Sequence, residues 1–264
     1  MSFERVLSEV KARFVTGLTA TPRRRDGLHP ITEMQLGPVR FAVDARSQAA
    51  RRPFDRRLIV RETAFGRGRA VSVDGIQLLY AALAADEQRN HLILAAVTTA
   101  LAEGRSPILL TERKDHLEFL AAGLRGVARH LVVLRGGMTP TERRAAATIL
   151  TAIPDTEPRL LIATGRYIGE GFDDARLDTL FLAMPISWKG TLVQYAGRLQ
   201  RPYQGKTEVR IYDYVDREIP MLGRMFEKRL RGYRAIGYAR GAAPVTREQV
   251  DDEALVFDES AAPE

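Results

Sequence analysis

Apolar and polar positions follow two rhythms along this chain, and the switches between them outline its elements. Short runs rich in leucine and β-branched residues occupy Leu58–Arg61, Pro107–Thr111, His130–Leu134, Arg159–Ala163, Thr179–Ala183 and Glu208–Tyr214. Between them lie longer stretches with apolar residues three and four apart, around Ile76–Ala102, Asp115–Leu124, Thr139–Leu150 and Thr191–Gln200. Strand-length apolar runs alternating with helix-length amphipathic ones predict parallel strands joined by crossover helices, an α/β fold. Thr139-Pro140-Thr141-Glu142 predicts a helix start, with a capping hydroxyl, a first-turn proline and an acid near the positive end.

Residues 1–50 follow neither rhythm for long. Phe14–Thr19 predicts a strand ending in a Thr-Pro turn, and Arg23–Gly27 a loop. Gln35–Val43 predicts a further strand, and the arginine- and proline-bearing stretch Arg46–Pro53 a connector. This part reads as the remnant of another domain with a linker, followed by a body over 51–240. Residues 241–264, rich in Ala, Pro and acids, are expected to be disordered.

Composition narrows the class. The chain has 264 residues, 45% of them apolar, enough for one α/β domain with extra pieces. Its longest apolar stretches, such as Leu92–Ala102, fall well short of the roughly 20 residues a bilayer span requires. The start, MSFERVLSEVKARF, lacks the unbroken apolar core of a signal peptide, so no membrane partner and a cytoplasmic location are expected. With no cysteine and four scattered histidines, neither a disulfide framework nor a metal site is expected. The net charge is +7, but residues 241–264 carry −6, which leaves +13 on the rest. Such a body attracts phosphate polymers. Only five of the 40 basic residues are lysines; a GC-rich genome explains that bias as readily as phosphate binding does.

The chemistry concentrates between Arg159 and Arg201. First comes LLIATGRYIGEGFDDARLDTLFLA, which predicts strand, glycine-rich loop, strand. Thr164-Gly165 ends the first strand, and Gly169-Glu170-Gly171-Phe172-Asp173 bends the chain. Glycines there admit a phosphate or a neighbouring domain to the backbone, and Asp173 can accept hydrogen bonds from a ribose; an ordinary turn would also use them. Next comes WKGTLVQYAGRLQR. On a helix, Gln194, Arg198 and Arg201 fall at i, i+4 and i+7 and share a face. Two arginines so placed suit a nucleotide γ-phosphate across an interface, although an isolated GRxxR is usually a solvated basic face.

In combination these segments resemble motifs V and VI of superfamily-two helicases, nearest the DEAD/DEAH-like and type III restriction subunit branch. Three more pieces fall in the family's order. Gly17-Leu18-Thr19-Ala20-Thr21-Pro22 resembles motif III. Ile108–Arg113 followed by His116–Leu120 resembles motif IV, and Leu134-Arg135-Gly136-Gly137-Met138 the second-lobe strand ending in a glycine pair. The family's P-loop lysine and acidic Mg²⁺-binding box, which precede motif III, are not in this sequence. Gly205-Lys206-Thr207 is a decoy, with Gln200 where a P-loop has its first glycine and a strand after it. Asp86-Glu87 sits between helical stretches instead of at a strand end. The loop between Thr164 and Asp173 is one residue longer than the DEAD-box pattern.

The resemblance implies a RecA-like parallel sheet flanked by helices, the helicase C-terminal lobe, with a short piece of the first lobe before it. It implies arginine fingers at Arg198 and Arg201, with Gln194 orienting them or the attacking water. Gly171 and Asp173 would line the nucleotide side. Thr164, Gly165 and Thr111 would face a DNA or RNA backbone. Thr19, Ala20 and Thr21 would couple ATP state to nucleic-acid grip. It further implies ATP with Mg²⁺ as cofactor once a first RecA-like lobe completes the cleft, in cis or in trans. A stand-alone nucleic-acid- or protein-binding module without catalysis is the open alternative.

Overall fold

The computed structural model describes residues 9, 11–18, 29–43, 54–68, 75–165, 174–186 and 189–241. Seven strands form one sheet: β1 (Asp55–Glu62), β2 (Pro107–Thr111), β3 (His130–Leu134), β4 (Arg159–Thr164), β5 (Thr179–Leu182), β6 (Glu208–Val215) and β7 (Ala239–Arg240). All pairs are parallel and the order is β3-β4-β2-β5-β6-β1-β7. Every residue of β2, β4 and β5 is buried. A parallel sheet needs cover on both faces, which is why these strands read as unbroken apolar runs.

Seven helices are described: α1 (His29–Leu36), α2 (Ile76–Ala85), α3 (Glu87–Ala102), α4 (Lys114–Leu124), α5 (Pro140–Ala152), α6 (Lys189–Leu199) and α7 (Pro220–Ala235). Alternate residues of each strand feed opposite faces. On one face Leu110, Ala163, Leu182 and Ile211 join Ala146 of α5, Leu192 and Leu199 of α6, and Tyr233 of α7 in one core. On the other, Leu109, Ile162, Phe181 and Tyr212 join Ile93 and Val97 of α3 with Leu117 and Leu120 of α4. The result is the doubly wound α/β sheet expected from the sequence.

Most boundaries agree within a residue or two. The start at Thr139 is a full capping box: its hydroxyl accepts from the Glu142 N–H, and its own N–H donates to the Glu142 carboxylate at 2.6 Å. Four readings need correction. The helical stretch Ile76–Ala102 is two helices, because Asp86 turns extended and its carboxylate accepts from the Arg89 N–H at 2.7 Å, starting α3. The strand expected over Phe14–Thr19 is not formed in its described part, where Phe14 and Leu18 are 81% and 93% exposed. Nor does Gln35–Val43 form a strand. Its first two residues end α1, Gly37 takes φ +78° to close that helix, and the alternating Val39, Phe41 and Val43 stay exposed, with no strand beside them among the described residues. An alternating pattern becomes a strand only where an edge accepts it. Finally, the helix expected over Thr191–Gln200 ends at Leu199, with consequences for Arg201 below.

Candidate functional site

In a parallel sheet the carboxyl ends of the strands lie on one edge, and loops there gather residues distant in sequence. Here β4 and β5 flank β2, so the chain reverses its winding around β2. Thr111 and Thr164 end β2 and β4 as register partners, and Gly136-Gly137 follow β3 next door. Gly137 takes φ +84°, which bends that loop away from the sheet.

The two threonines use their hydroxyls differently. Thr111 is 1% exposed and lies 3.0 Å from His116 Nδ1. Asn90 Nδ2 donates to the Ala84 carbonyl, so Asn90 Oδ1 faces His116 Nε2 at 2.8 Å as an acceptor. Neutral His116 therefore carries its proton on Nε2, Nδ1 accepts, and Thr111 spends its hydroxyl hydrogen on the ring. Thr164 Oγ1 instead accepts from the Gly136 N–H at 2.9 Å. Its own hydrogen has no acceptor among the described residues.

Burial, with Arg89 nearby, pushes the His116 pKa down to about 4. The folded pKa is depressed, so from about pH 6.5 down to 4 the unfolded chain binds a proton that the folded chain does not. Stability should fall as pH drops through that window, by about 2 kcal/mol at pH 4.5, and this contribution is absent above pH 6.5. Thermal melts of wild type and His116→Gln across the window test this: the variant should show the shallower pH dependence, and parallel curves would refute it.

Gly165 follows Thr164 directly. A Cβ there would fall on the Tyr195 hydroxyl and 2.5 Å from Glu112 Oε1. Only glycine lets these two side chains meet over the end of β4. Tyr195, 5% exposed on α6, sets its hydroxyl beside the carboxylate of Glu112, which follows β2. Glu112 as a residue lies at the surface, but its carboxyl end is desolvated, which raises its pKa more than the tyrosine hydroxyl lowers it. Desolvation and the neighbouring carboxylate likewise raise Tyr195. These two side chains thus bring the ends of β2 and β4 together with α6.

Gln194 and Arg198 stand one turn apart on α6, both partly exposed, while Leu192, Tyr195, Ala196 and Leu199 face the core. Arg201 lies beyond the helix and does not share that face by helical geometry. The cause is Pro202, whose ring drives the preceding residue out of the helical region. The turn is held by Lys206, whose ammonium donates to the carbonyls of Ala175, Leu177, Leu199 and Arg201. Gly205-Lys206-Thr207 is accordingly a cap on α6 and cannot cradle a phosphate.

A buried ion pair anchors the loop that leads to α6. Arg229 of α7 donates to both oxygens of Asp213 at 2.7 and 2.9 Å and to the Ile186 carbonyl at 3.2 Å. Tyr233 donates to the same carboxylate at 2.7 Å. The sequence reading missed this trio and the meeting of Glu112 with Tyr195. An arginine within the apolar stripe Leu222, Met225, Phe226, Tyr233 was the available sign of the first; for the second there was none. Gly171, Asp173, Thr19, Ala20 and Thr21 lie outside the described residues.

Comparison with known proteins bears on the fold. No model of a protein family matches the chain. The protein named "Putative helicase 161L" of Invertebrate iridescent virus 6 is 28% identical over 247 residues, 88% of this chain and 52% of its own length. The chain thus spans about half of that relative. "Uncharacterized protein 108L" of Invertebrate iridescent virus 3 is 38% identical over 79 residues, 30% of this chain and 71% of that one. Among solved structures, T4 UvsW superposes with a TM-score of 0.55 at 14% identity, over 71% of this chain and 41% of its own. The ATP-dependent type ISP restriction-modification enzyme LlaBIII, solved bound to DNA, gives 0.54 at 15% identity, over 78% of this chain and 16% of its own. At such identities the structural likeness speaks for the fold alone.

Proposed function

We propose that this chain, a member of the same family as the iridescent-virus 108L protein and of superfamily-two helicase type in its fold, is the second lobe of an ATP-dependent DNA or RNA translocase. The observation that carries the reading is the meeting of Glu112 and Tyr195 over Gly165. It joins the strand ends suited to a nucleic-acid backbone to the helix that bears Gln194 and Arg198. Thr164 brings a hydroxyl hydrogen for a phosphate, while Gly165 makes room for Tyr195 and Glu112 beside it; Thr111 supports His116 beneath them. Arg198 and Arg201 present guanidinium groups for the γ-phosphate of ATP held mainly by another lobe. Mg²⁺ and the P-loop contacts would come from that lobe, since Lys206 is committed to four carbonyls. ATP with Mg²⁺ supplies the phosphoryl-transfer chemistry; these arginines would counter charge that develops in it.

The purified chain alone should release phosphate from ATP no faster than buffer, with or without single-stranded DNA. Joined to a P-loop lobe, in trans or by fusion, it should become an ATPase stimulated by nucleic acid. Steady-state phosphate release measures both. Turnover that persists with the lone chain through a changed purification scheme would overturn the division of labour.

A further inference from the structure

Many arginines of this sheet and its helices are matched with acids. Arg57 meets Glu208, Arg105 meets Asp178 and Glu208, Arg113 meets Asp115, Arg89 meets Asp216, and Arg229 meets Asp213. The outer face of α7 departs from this. A groove of about 530 Å³ runs along it, lined by Arg217, Pro220, Gly223, Arg224, Glu227, Lys228 and Arg231. Arg217 bonds Glu62 at 2.8 Å and approaches Glu227 at 3.6 Å, which accounts for the one acid in the groove. Arg224, Lys228 and Arg231 are exposed and have no carboxylate partner among the described residues.

These three stand at i, i+4 and i+7, one stripe opposite the core-facing Leu222, Met225, Phe226 and Tyr233. Like charges at such spacing weaken a helix by a few tenths of a kcal/mol per pair. Their span is about 10 Å at 1.5 Å per residue. Successive phosphates of one strand of a B-form duplex rise about 3.4 Å along the axis while winding round it, and the long arms of Arg and Lys let three charges over this span reach neighbouring phosphates. The lining has no aromatic ring on which an unstacked base could lie, a usual component of single-strand sites.

We propose that the α7 groove binds the sugar–phosphate backbone of a nucleic-acid duplex, with Arg224, Lys228 and Arg231 each taking a phosphate. It extends the nucleic-acid path of the reading above, away from the strand ends at Thr164 and Gly165. No base edge is read, so recognition is independent of sequence.

The test uses the full chain without ATP or a second lobe, so its outcome is separate from that of the ATPase experiment. Anisotropy of a labelled mixed-sequence DNA duplex is followed as salt rises from about 50 to 200 mM. Releasing counterions from three phosphates contributes a slope of about −2.7 in log K against log salt. Wild type should therefore lose about 40-fold more affinity over that range than Arg224→Gln/Lys228→Gln/Arg231→Gln. Arg125→Gln/Arg144→Gln removes exposed charges off the groove that lack partners among the described residues, and should keep the wild-type slope. Equal slopes for wild type and the triple variant would overturn the proposal, as would an equal per-charge loss in the off-groove control. A larger gap on a single strand of the same length would overturn the duplex assignment. Gln preserves helix propensity, and melting curves of the variants verify that α7 is intact.

Discussion

Arg198→Ala or Arg201→Ala, in an assembly that includes a P-loop lobe, should lower ATP turnover by roughly 10³–10⁵-fold, the range measured for arginine fingers. ATP binding should change far less, because such a group acts mainly on charge that grows as the phosphoryl group leaves. Lysine should rescue poorly at either position, since a compact ammonium cannot make the forked contact. Arg198 sits on α6 beside buried Tyr195, whereas Arg201 sits on a turn that Lys206 holds through the Arg201 carbonyl at 2.8 Å. Lys206→Met should thus mimic part of the Arg201 loss and, because Lys206 also holds the Leu199 carbonyl, affect Arg198 to a smaller degree. Arg210 would be a poor control, being tied to Glu208 and Glu103. Exposed Arg144, with no side-chain partner among the described residues, is suitable. Phosphate release and ATP titration on each variant decide the matter. Alanine variants that match Arg144→Ala would return these arginines to the role of a solvated basic surface.

Arg229→Met should destabilise the fold by about 3–5 kcal/mol, because it strands the Asp213 carboxylate in the core. Asp213 is 1% exposed and keeps only the Tyr233 hydroxyl once the guanidinium is gone. The Ile186 carbonyl also loses a donor, so the approach to α6 should loosen. The pair's electrostatic worth is a different quantity. Replacing both partners, Arg229→Met with Asp213→Leu, should recover most of the loss, though not all, since Tyr233 then lacks an acceptor. Urea unfolding of the single and double variants separates the two effects. A single variant within about 1 kcal/mol of wild type would mean that Asp213 is rehydrated at little cost.

The parallel core was legible because burial on both faces leaves little room for polar residues, so β2, β4 and β5 announce themselves as mostly apolar runs. β7 was not, since two residues, Ala239 and Arg240, carry no pattern. The strands read over Phe14–Thr19, in its described part, and Gln35–Val43 failed for the opposite reason: the pattern is there, but among the described residues no sheet edge receives it. Arg201 was misplaced because helical spacing was extended up to Pro202. For the candidate site, residue types and order came from the sequence, whereas the contacts did not. Glu112 and Tyr195 lie far apart in the chain and meet only because β4 and β2 are neighbours. Likewise, the basic residues of α7 looked alike until packing divided them into Arg229, paired inside, and Arg224, Lys228 and Arg231 outside.

The pairing of β1 with β6 also sets a schedule for synthesis. Asp55 aligns with Glu208, so β1 leaves the ribosome with its principal neighbour still untranslated. At about 5–20 residues per second, the 153 residues between such partners correspond to a wait of about 8–30 s. Through that interval Leu58-Ile59-Val60 is a bare apolar strand that any other nascent edge could recruit. The flanking Arg56, Arg57, Arg61 and Glu62 place charges on both sides of it, the usual guard against edge-to-edge association. Those side chains therefore serve the chain before it is folded, as gatekeepers during translation.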